Sequence, residues 1–208
     1  MQDAQLFQML FSVLVLVFSV VAHEVSHGYM AQYLGDPTAR LAGRLTLNPL
    51  RHIDPIGSLL VPFITSILPG GIVFGWAKPV PYNPYNLRDQ KWGDAKVALA
   101  GPLTNLGIAV IFAAMLRFGE GAVAPEAANI MQMIVLINVI LTVFNLVPIP
   151  PLDGSKVLFN ALPLRLRYVE EYFQRYALVL ILIFAYFLWK FFLPFIYLLY
   201  ILLVGAPM

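Results

Sequence analysis

Long apolar runs dominate this sequence and limit the folds that it can adopt. The first run, residues 6–31, is long enough as an α-helix to cross the roughly 30 Å hydrocarbon core of a bilayer. Hydrophobic residues make up 60% of the chain, charged residues only 12%, and the mean hydropathy is +0.79. Further apolar runs cover residues 97–116, 130–147 and 176–204. The sequence therefore predicts a polytopic α-helical membrane protein with about four to six membrane segments.

The chain is expected to form one integral membrane domain over residues 1–208. Its core is placed at about residues 6–160, and one or more C-terminal membrane segments at residues 168–205. The run at residues 6–22 resembles a signal peptide in hydropathy, but no basic region precedes it and no A-x-A cleavage site follows it. We expect it to be a retained membrane helix.

The stretches between the apolar runs predict a short irregular element on one side of the membrane. Residues 38–54 alternate enough in polarity to suggest a short strand or β-hairpin. Residues 56–73 are apolar but contain two prolines and a glycine pair, which favours a re-entrant element over a crossing helix. Residues 75–96 are rich in proline, asparagine and charge, and are expected to form a loop.

The positions of the basic residues predict which side of the membrane each loop faces. Lysine and arginine are enriched in cytoplasmic loops, and three arginines lie in residues 38–54 while four basic residues lie in residues 75–96. Both stretches are therefore expected to be cytoplasmic, so residues 56–73 enter and leave on the same side. The loop after residue 116 carries Glu120 and Glu126 and is expected outside.

Composition excludes several classes of function. The net charge of +2 is small and spread along the chain, so no basic surface suggests nucleic-acid binding. The chain has no cysteine, which excludes disulfides and thiolate metal sites. A metal ion would have to be held by histidine, aspartate or glutamate.

The sequence HEVSH, residues 23–27, places ionisable side chains inside the first apolar run. Residues four apart lie on one face of a helix, so His23 and His27 can direct imidazole nitrogens at one ion while Glu24 lies beside them. This is the H-E-x-x-H spacing of zinc hydrolases. Two other interpretations stay open, namely polar side chains reaching the membrane interface and a haem site or proton relay.

A catalytic zinc site normally has three protein ligands and a water, so a third ligand must come from elsewhere. Asp153 follows the run at residues 130–147, at the level where the first apolar run also ends. The prolines at positions 148, 150 and 151 stop the helix and allow the aspartate to face inward. The alternative is an ordinary Asp-Gly turn at a helix end.

Three motifs in this order resemble the site-2 protease family of intramembrane zinc metalloproteases. They are His23-Glu24-x-x-His27, GPLTN at residues 101–105, and NLVPIPPLDG at residues 145–154; NPLRHIDPIG and FGWAKPVPYNPYN further resemble its small prokaryotic branch. The resemblance covers roughly residues 20–160. It implies a prokaryotic cell membrane as the location and an active site toward the cytoplasmic side.

The resemblance also implies roles for individual residues. His23, His27 and Asp153 would bind one Zn²⁺ per chain, Glu24 would be the base that activates water, and Asn145 would stabilise the tetrahedral intermediate. The expected partners are the lipid bilayer and single-span transmembrane protein substrates. A substrate helix must be unwound before cleavage, and a strand edge in residues 39–47 or 73–82 could hold it by strand addition.

Three other polar residues, Asn105, His52 and Asn138, have less specific interpretations. Asn105 either packs against a neighbouring helix or hydrogen-bonds a ligand histidine. His52 is expected to be an interfacial side chain rather than a fourth ligand, with a role behind the ligands left open. Asn138 is expected to serve packing.

The rival function is a transporter or channel that uses the histidine and carboxylate cluster. A transporter predicts an internal repeat, which the sequence does not show.

Overall fold

The structure, a computed structural model, describes residues 2–67, 75–119, 123–163 and 167–205. None of these residues forms a β-strand. In chain order the α-helices are α1 (Gln2–Tyr33), α2 (Thr38–Leu41), α3 (Val61–Ile67), α4 (Gly93–Phe118), α5 (Pro125–Asn145), α6 (Asp153–Ala161), α7 (Arg167–Arg175), α8 (Ala177–Ile183) and α9 (Leu193–Val204). Short 3-10 or π-helical turns occupy Pro49–His52, Pro55–Leu60, Pro84–Asn86, Phe184–Leu188 and Trp189–Phe191.

Three of the described helices are long and apolar enough to cross a membrane: Gln5–Tyr33, Gly93–Phe118 and Pro125–Asn145. A fourth span is possible if Tyr168–Arg175 and Ala177–Phe191, which meet at an angle of 70°, count as one broken span. Many large apolar side chains of α1, α8 and α9 are exposed, as expected for surfaces in contact with lipid. The predicted helical fold is confirmed over the described residues, with three to four candidate spans where about four to six membrane segments are predicted.

Helix α4 lies at the centre of the fold, where it packs against α1, α5, α6 and α9. Small residues make this close packing possible, because Ala109 and Ala113 of α4 are fully buried against Val135 and Val139 of α5. Helices in a membrane associate through such small-residue surfaces rather than through a hydrophobic driving force. The arrangement places the N-terminal half of α4 against the C-terminal half of α1.

Helix α1 ends at Tyr33, just before Gly35-Asp36-Pro37. Gly35 has φ +110°, and the N–H of Asp36 donates to the carbonyl of Ala31 at 2.9 Å. This is the geometry of a helix terminus closed by glycine. The buried Asp36 carboxylate then accepts bonds from the N–H and hydroxyl of Thr38, which starts α2.

The predicted β-hairpin in residues 38–54 is wrong, because this stretch forms helical turns instead. Two Asx-type starts decide the local structure: Asp36 precedes α2, and the Asn48 side chain accepts the N–H of Leu50 at 3.1 Å to begin Pro49–His52. The apolar residues of the pattern do not share a buried face, since Leu41 and Leu47 are exposed, whereas Arg44 is buried and donates to the carbonyl of Lys78 at 2.7 Å. No strand edge is therefore available in residues 39–47 for substrate binding.

The apolar segment 56–73 begins as a π-helical turn, Pro55–Leu60, and continues as α3; its last residues, 68–73, lie outside the described residues. The N–H of Trp76 donates to the carbonyl of Gly57 at 3.0 Å, and the Trp76 indole donates to Asp54 at 3.1 Å. The chain thus returns at residue 76 to the place where the segment began.

Residues 75–83 run across the C-terminal half of α1 without forming helix or strand, and we refer to them as the strap. Its prolines, Pro79 and Pro81, have no N–H to offer a strand partner. Neither proline can donate to a substrate strand added at the predicted 73–82 edge, of which residues 73 and 74 lie outside the described residues.

Candidate metal centre

Three side chains from two distant parts of the chain converge at one point. Nε2 of His23 lies 3.0 Å from Oδ2 of Asp153, and Nε2 of His27 lies 3.3 Å from the same oxygen. One ligand atom from each residue lies within 4.8 Å of the others. The histidines come from adjacent turns of α1, and Asp153 is the first residue of α6. The helix-end aspartate and the i, i+4 histidine pair are brought together as expected.

The hydrogen bonds on the far side of each ring fix the tautomer of both histidines. Nδ1 of His27 lies 2.7 Å from the carbonyl of Val97, which can only accept, so this nitrogen carries the proton. Nδ1 of His23 lies 2.6 Å from Oδ1 of Asn105. The Asn105 amide nitrogen faces the carbonyl of Ser19, so its oxygen faces His23 and accepts from that ring. Both neutral imidazoles therefore present an Nε2 lone pair to the centre.

A buried amide network lies behind His23. The Asn105 amide donates to Oδ1 of Asn138 at 2.8 Å, and the Asn138 amide donates to the Ser19 hydroxyl at 3.0 Å. Asn105 and Asn138 are both fully buried, and Ser19 is nearly so. Asn105 is thus hydrogen-bonded to a histidine of the centre, and Asn138 does more than the packing expected of it. The sequence signal that could have found Asn138 and Ser19 is their polarity within two apolar helices.

Gly101 allows the imidazoles to lie against α4. A Cβ atom at this position would be 2.5 Å from Nε2 of His23 and 2.5 Å from Nε2 of His27. Carbon atoms do not approach nitrogen this closely without a bond, so a side chain here would displace the rings. The first residue of the GPLTN motif therefore provides the space in which the histidines sit.

The donor set fits a zinc ion. Oδ2 of Asp153 is buried without a hydrogen-bond donor among the described residues, and the two nitrogens that face it carry lone pairs when the rings are neutral. Three acceptors then converge without a proton between them, and a bound cation would satisfy all three. Ligands about 2.1 Å from a tetrahedral zinc are roughly 3.4 Å apart, close to the separations of 3.0 and 3.3 Å found here. Nitrogen and carboxylate ligands without cysteine are typical of catalytic rather than structural zinc sites.

Glu24 lies next to this group on α1, and its carboxylate contacts the strap. Oε2 of Glu24 accepts the N–H of Val80 at 2.9 Å. Val80 is buried, and Glu24 is partly exposed. No sequence pattern indicates this contact, because the two residues are 56 positions apart.

Asn145 and His52 are not hydrogen-bonded to the ligand residues among the described parts of the chain. The partly buried Asn145 amide donates to the carbonyl of Leu141, within its own helix, at 2.9 Å. Nε2 of His52 donates to the carbonyl of Thr46 at 2.9 Å, and the ring is buried rather than interfacial. His52 thus supports the turn that leads to the strap, since its own carbonyl accepts the N–H of Lys78 at 2.8 Å.

A second polar cluster attaches α6 to the strap. Lys156, one helical turn after Asp153, donates to the Tyr82 hydroxyl at 2.8 Å, and this hydroxyl donates to Asp94. Burial raises the pKa of Tyr82, and the negative charge of Asp94 raises it further, so the hydroxyl keeps its proton. The Asn160 amide reaches the same aspartate at 3.3 Å. These contacts hold the helix that carries Asp153 against α4.

Comparison with known proteins identifies a matching family and several relatives. The model of "Peptidase family M50" matches residues 119–188, a range that includes Asp153. The chain is 34% identical over 178 residues to "Putative zinc metalloprotease YwhC" of Bacillus subtilis (strain 168), covering 82% of this chain and 78% of that protein. It is 31% identical over 160 residues to "Putative zinc metalloprotease MJ0611" of Methanocaldococcus jannaschii, covering 71% of this chain and 72% of that protein.

A third relative is longer than this chain. The chain is 35% identical over 139 residues to "Putative zinc metalloprotease Rip2" of Mycolicibacterium smegmatis, covering 66% of this chain and 52% of that protein. No solved structure matches the chain. The extent of the match to YwhC confirms the resemblance that the three motifs indicate: the chain belongs to peptidase family M50, the site-2 protease family.

Proposed function

We propose that this chain is an intramembrane zinc metalloprotease that hydrolyses peptide bonds of membrane-embedded substrate helices. The observation that carries the proposal is the convergence of His23, His27 and Asp153 on one point beside the ends of membrane-spanning helices. Membership of peptidase family M50, and relatives named as zinc metalloproteases, support it.

His23, His27 and Asp153 would hold one Zn²⁺ per chain. When bound, zinc supplies a Lewis acid that lowers the pKa of a water molecule to about 7. The neutral tautomers of both histidines favour this role, because each Nδ1–H is already held by Val97 or Asn105 and each Nε2 is free to bind.

Glu24 would act as the general base and then as the general acid. Its carboxylate lies one residue from His23 and can take a proton from the attacking water and deliver it to the leaving amine. Asn145 would donate its amide to the developing oxyanion. The bond to the Leu141 carbonyl uses one N–H of the Asn145 amide and leaves the second N–H for this role.

The substrates we propose are single-span transmembrane proteins. A transmembrane helix hides its peptide groups in its own hydrogen bonds, so a segment must unwind before hydrolysis. The apolar exterior of α1 and α9 permits lateral approach through lipid, as expected of an enzyme whose substrates lie in the bilayer.

We further propose that the site faces the cytoplasm of a prokaryotic cell. The basic stretches around residues 38–54 and 75–96 lie at the same end of the spans as the metal centre, and such stretches are retained on the cytoplasmic side. The contact between Gly57 and Trp76 supports a re-entrant course for the segment between them. The relatives come from bacteria and an archaeon.

A transporter or channel is the rival function and is not favoured. The broken helices and intramembrane carboxylates expected of a transporter are present, but this function does not explain why relatives are named as metalloproteases. It also does not explain why Glu24 lies between the two histidines.

Replacement of Glu24 tests the proposal. Glu24→Gln keeps the size of the side chain but removes its basicity, so the purified protein should keep about one zinc while turnover falls by roughly 10²- to 10⁴-fold. Glu126→Gln, an exposed carboxylate in the first turn of α5, is the matched control and should cleave normally. Cuts in a panel of single-span peptides, located by mass spectrometry, provide the activity. A Glu24→Gln protein with full activity would overturn the mechanism.

A further inference from the structure

The carboxylate of Glu24 is attached to the strap by one backbone group. Oε2 accepts the N–H of Val80 at 2.9 Å. A hydrogen bond to a carboxylate is stronger than one between neutral groups, and it restricts rotation of the carboxylate plane. The bond uses one oxygen and leaves the second oxygen able to exchange a proton.

The sequence of the strap makes Val80 the single donor at this place. Val80 lies between Pro79 and Pro81, which have no backbone N–H. The Val80 side chain is seated over Gly28, where a Cβ atom would come within 2.9 Å of its Cγ1 atom. Gly28 lies four residues after Glu24, so both are on one face of α1. The seated side chain sets the register that brings the N–H of Val80 to Glu24.

Both ends of the strap are fixed to the body of the protein. On one side Lys78 donates its N–H to His52 at 2.8 Å, and its carbonyl accepts from the buried Arg44 at 2.7 Å. On the other side the N–H of Asn83 donates to Asp36 at 2.7 Å. Val80 is therefore held between two anchored positions, and its N–H does not move freely.

We propose that the backbone N–H of Val80 is a positioning group that orients the Glu24 carboxylate for proton transfer. The inference rests on the proposed function, in which Glu24 is the base. The strap carries the donor that orients the carboxylate, and α1 carries the carboxylate itself. None of the proposed metal ligands performs this orientation. Side chains at position 80 matter only for seating the donor.

An ester in place of the peptide bond between Pro79 and Val80 tests this role directly. The ester removes the N–H and keeps the isopropyl group. In protein reconstituted into vesicles with a single-span peptide that the parent cleaves, we expect kcat to fall about 10- to 100-fold. KM should change by less than about twofold and zinc content should stay at one per chain, because the lost contact acts on the reacting geometry and not on binding.

Two substitutions complete the test. Val80→Thr keeps the N–H and a branched side chain of the same size over Gly28, so it should retain most of the parental kcat, whereas Val80→Pro removes the N–H and should reproduce the loss seen with the ester. An ester protein with parental kcat would overturn the inference. A loss of kcat accompanied by loss of zinc, or equalled by Val80→Thr, would also overturn it, since the strap would then act by packing alone.

The outcome for Glu24→Gln separates this inference from the proposed function. If Glu24→Gln cleaves at the parental rate, the proposed function fails. If Glu24→Gln is inactive while the ester protein turns over at the parental rate, the proposed function stands and the role of Val80 is rejected.

Discussion

Gly101 of α4 lies so close to His23 of α1 that a single added carbon would come within 2.5 Å of the histidine Nε2 atom. The two helices therefore meet at the metal centre and not only along their apolar surfaces. If His23 binds the metal as proposed, this contact between a glycine backbone and the imidazole couples helix packing to metal binding.

Gly101→Ala should weaken zinc binding by about tenfold or more, because the new methyl group displaces both imidazoles. Gly107→Ala is the matched control on the same helix, since a Cβ atom there meets nothing within 4 Å. Zinc content after dialysis against a graded chelator measures the difference. Equal zinc retention by the two variants would contradict the packing described here.

Asp153→Ala should deplete zinc from about one ion per chain to nearly none. A two-histidine site lacks the third ligand that holds the ion against dissociation. Asp89→Ala, which removes a surface partner of Lys96, should keep its zinc. Full zinc content in Asp153→Ala would require a different third ligand.

Asn105→Ala should lower zinc affinity by roughly 10- to 100-fold, because His23 loses the acceptor that fixes its tautomer and orientation. Asn138→Ala should have a smaller effect of the same sign, since it acts on His23 only through Asn105. Competition with a fluorescent zinc chelator ranks the variants. The opposite order would show that the network does not act through Asn105.

Asn145→Ala should leave zinc in place and lower kcat by about 10²- to 10³-fold with little change in KM. A lower kcat with little change in KM is expected because the contact strengthens only as negative charge develops on the substrate carbonyl. Steady-state kinetics on a cleaved single-span peptide measures it. An unchanged kcat would remove Asn145 from the mechanism and leave it as a helix-end side chain.

Single cysteines in this cysteine-free chain should report the topology. Cysteines that replace Leu41 and Tyr85, both more than 80% exposed, should react with an impermeant reagent from the cytoplasmic side only. A cysteine at Phe118, at the far end of α4, should react only from the other side. Labelling of positions 41 and 85 from opposite faces would show that the segment between them crosses the membrane.

The sequence predicts the part of the site that depends on local spacing. Helical periodicity alone places His23 and His27 on one face of α1, and proline placement explains why Asp153 begins a new helix near them. The apolar runs likewise predict α1, α4 and α5, because length and hydropathy are sufficient criteria for a membrane helix.

The predictions that failed and the contacts that were missed depend on tertiary structure. The hairpin predicted in residues 38–54 failed because the alternating leucines, Leu41 and Leu47, are exposed while Arg44 is buried, so the pattern does not report a buried face. The bond between Val80 and Glu24 could not be predicted, since it depends on how the strap crosses α1. Periodicity does not report which distant backbone group a side chain will meet.

The hydrogen bond between Gly57 and Trp76 closes a loop at the start of the strap. The position of the strap is thereby set by residues at the base of that loop, where the Ser58 hydroxyl also donates to the Trp76 carbonyl at 2.9 Å. We expect that chain length after α3, between positions 67 and 75, can change by insertion or deletion without moving the strap or the metal centre. Variation among relatives should concentrate there, and a reporter sequence inserted into this interval should leave proteolysis intact.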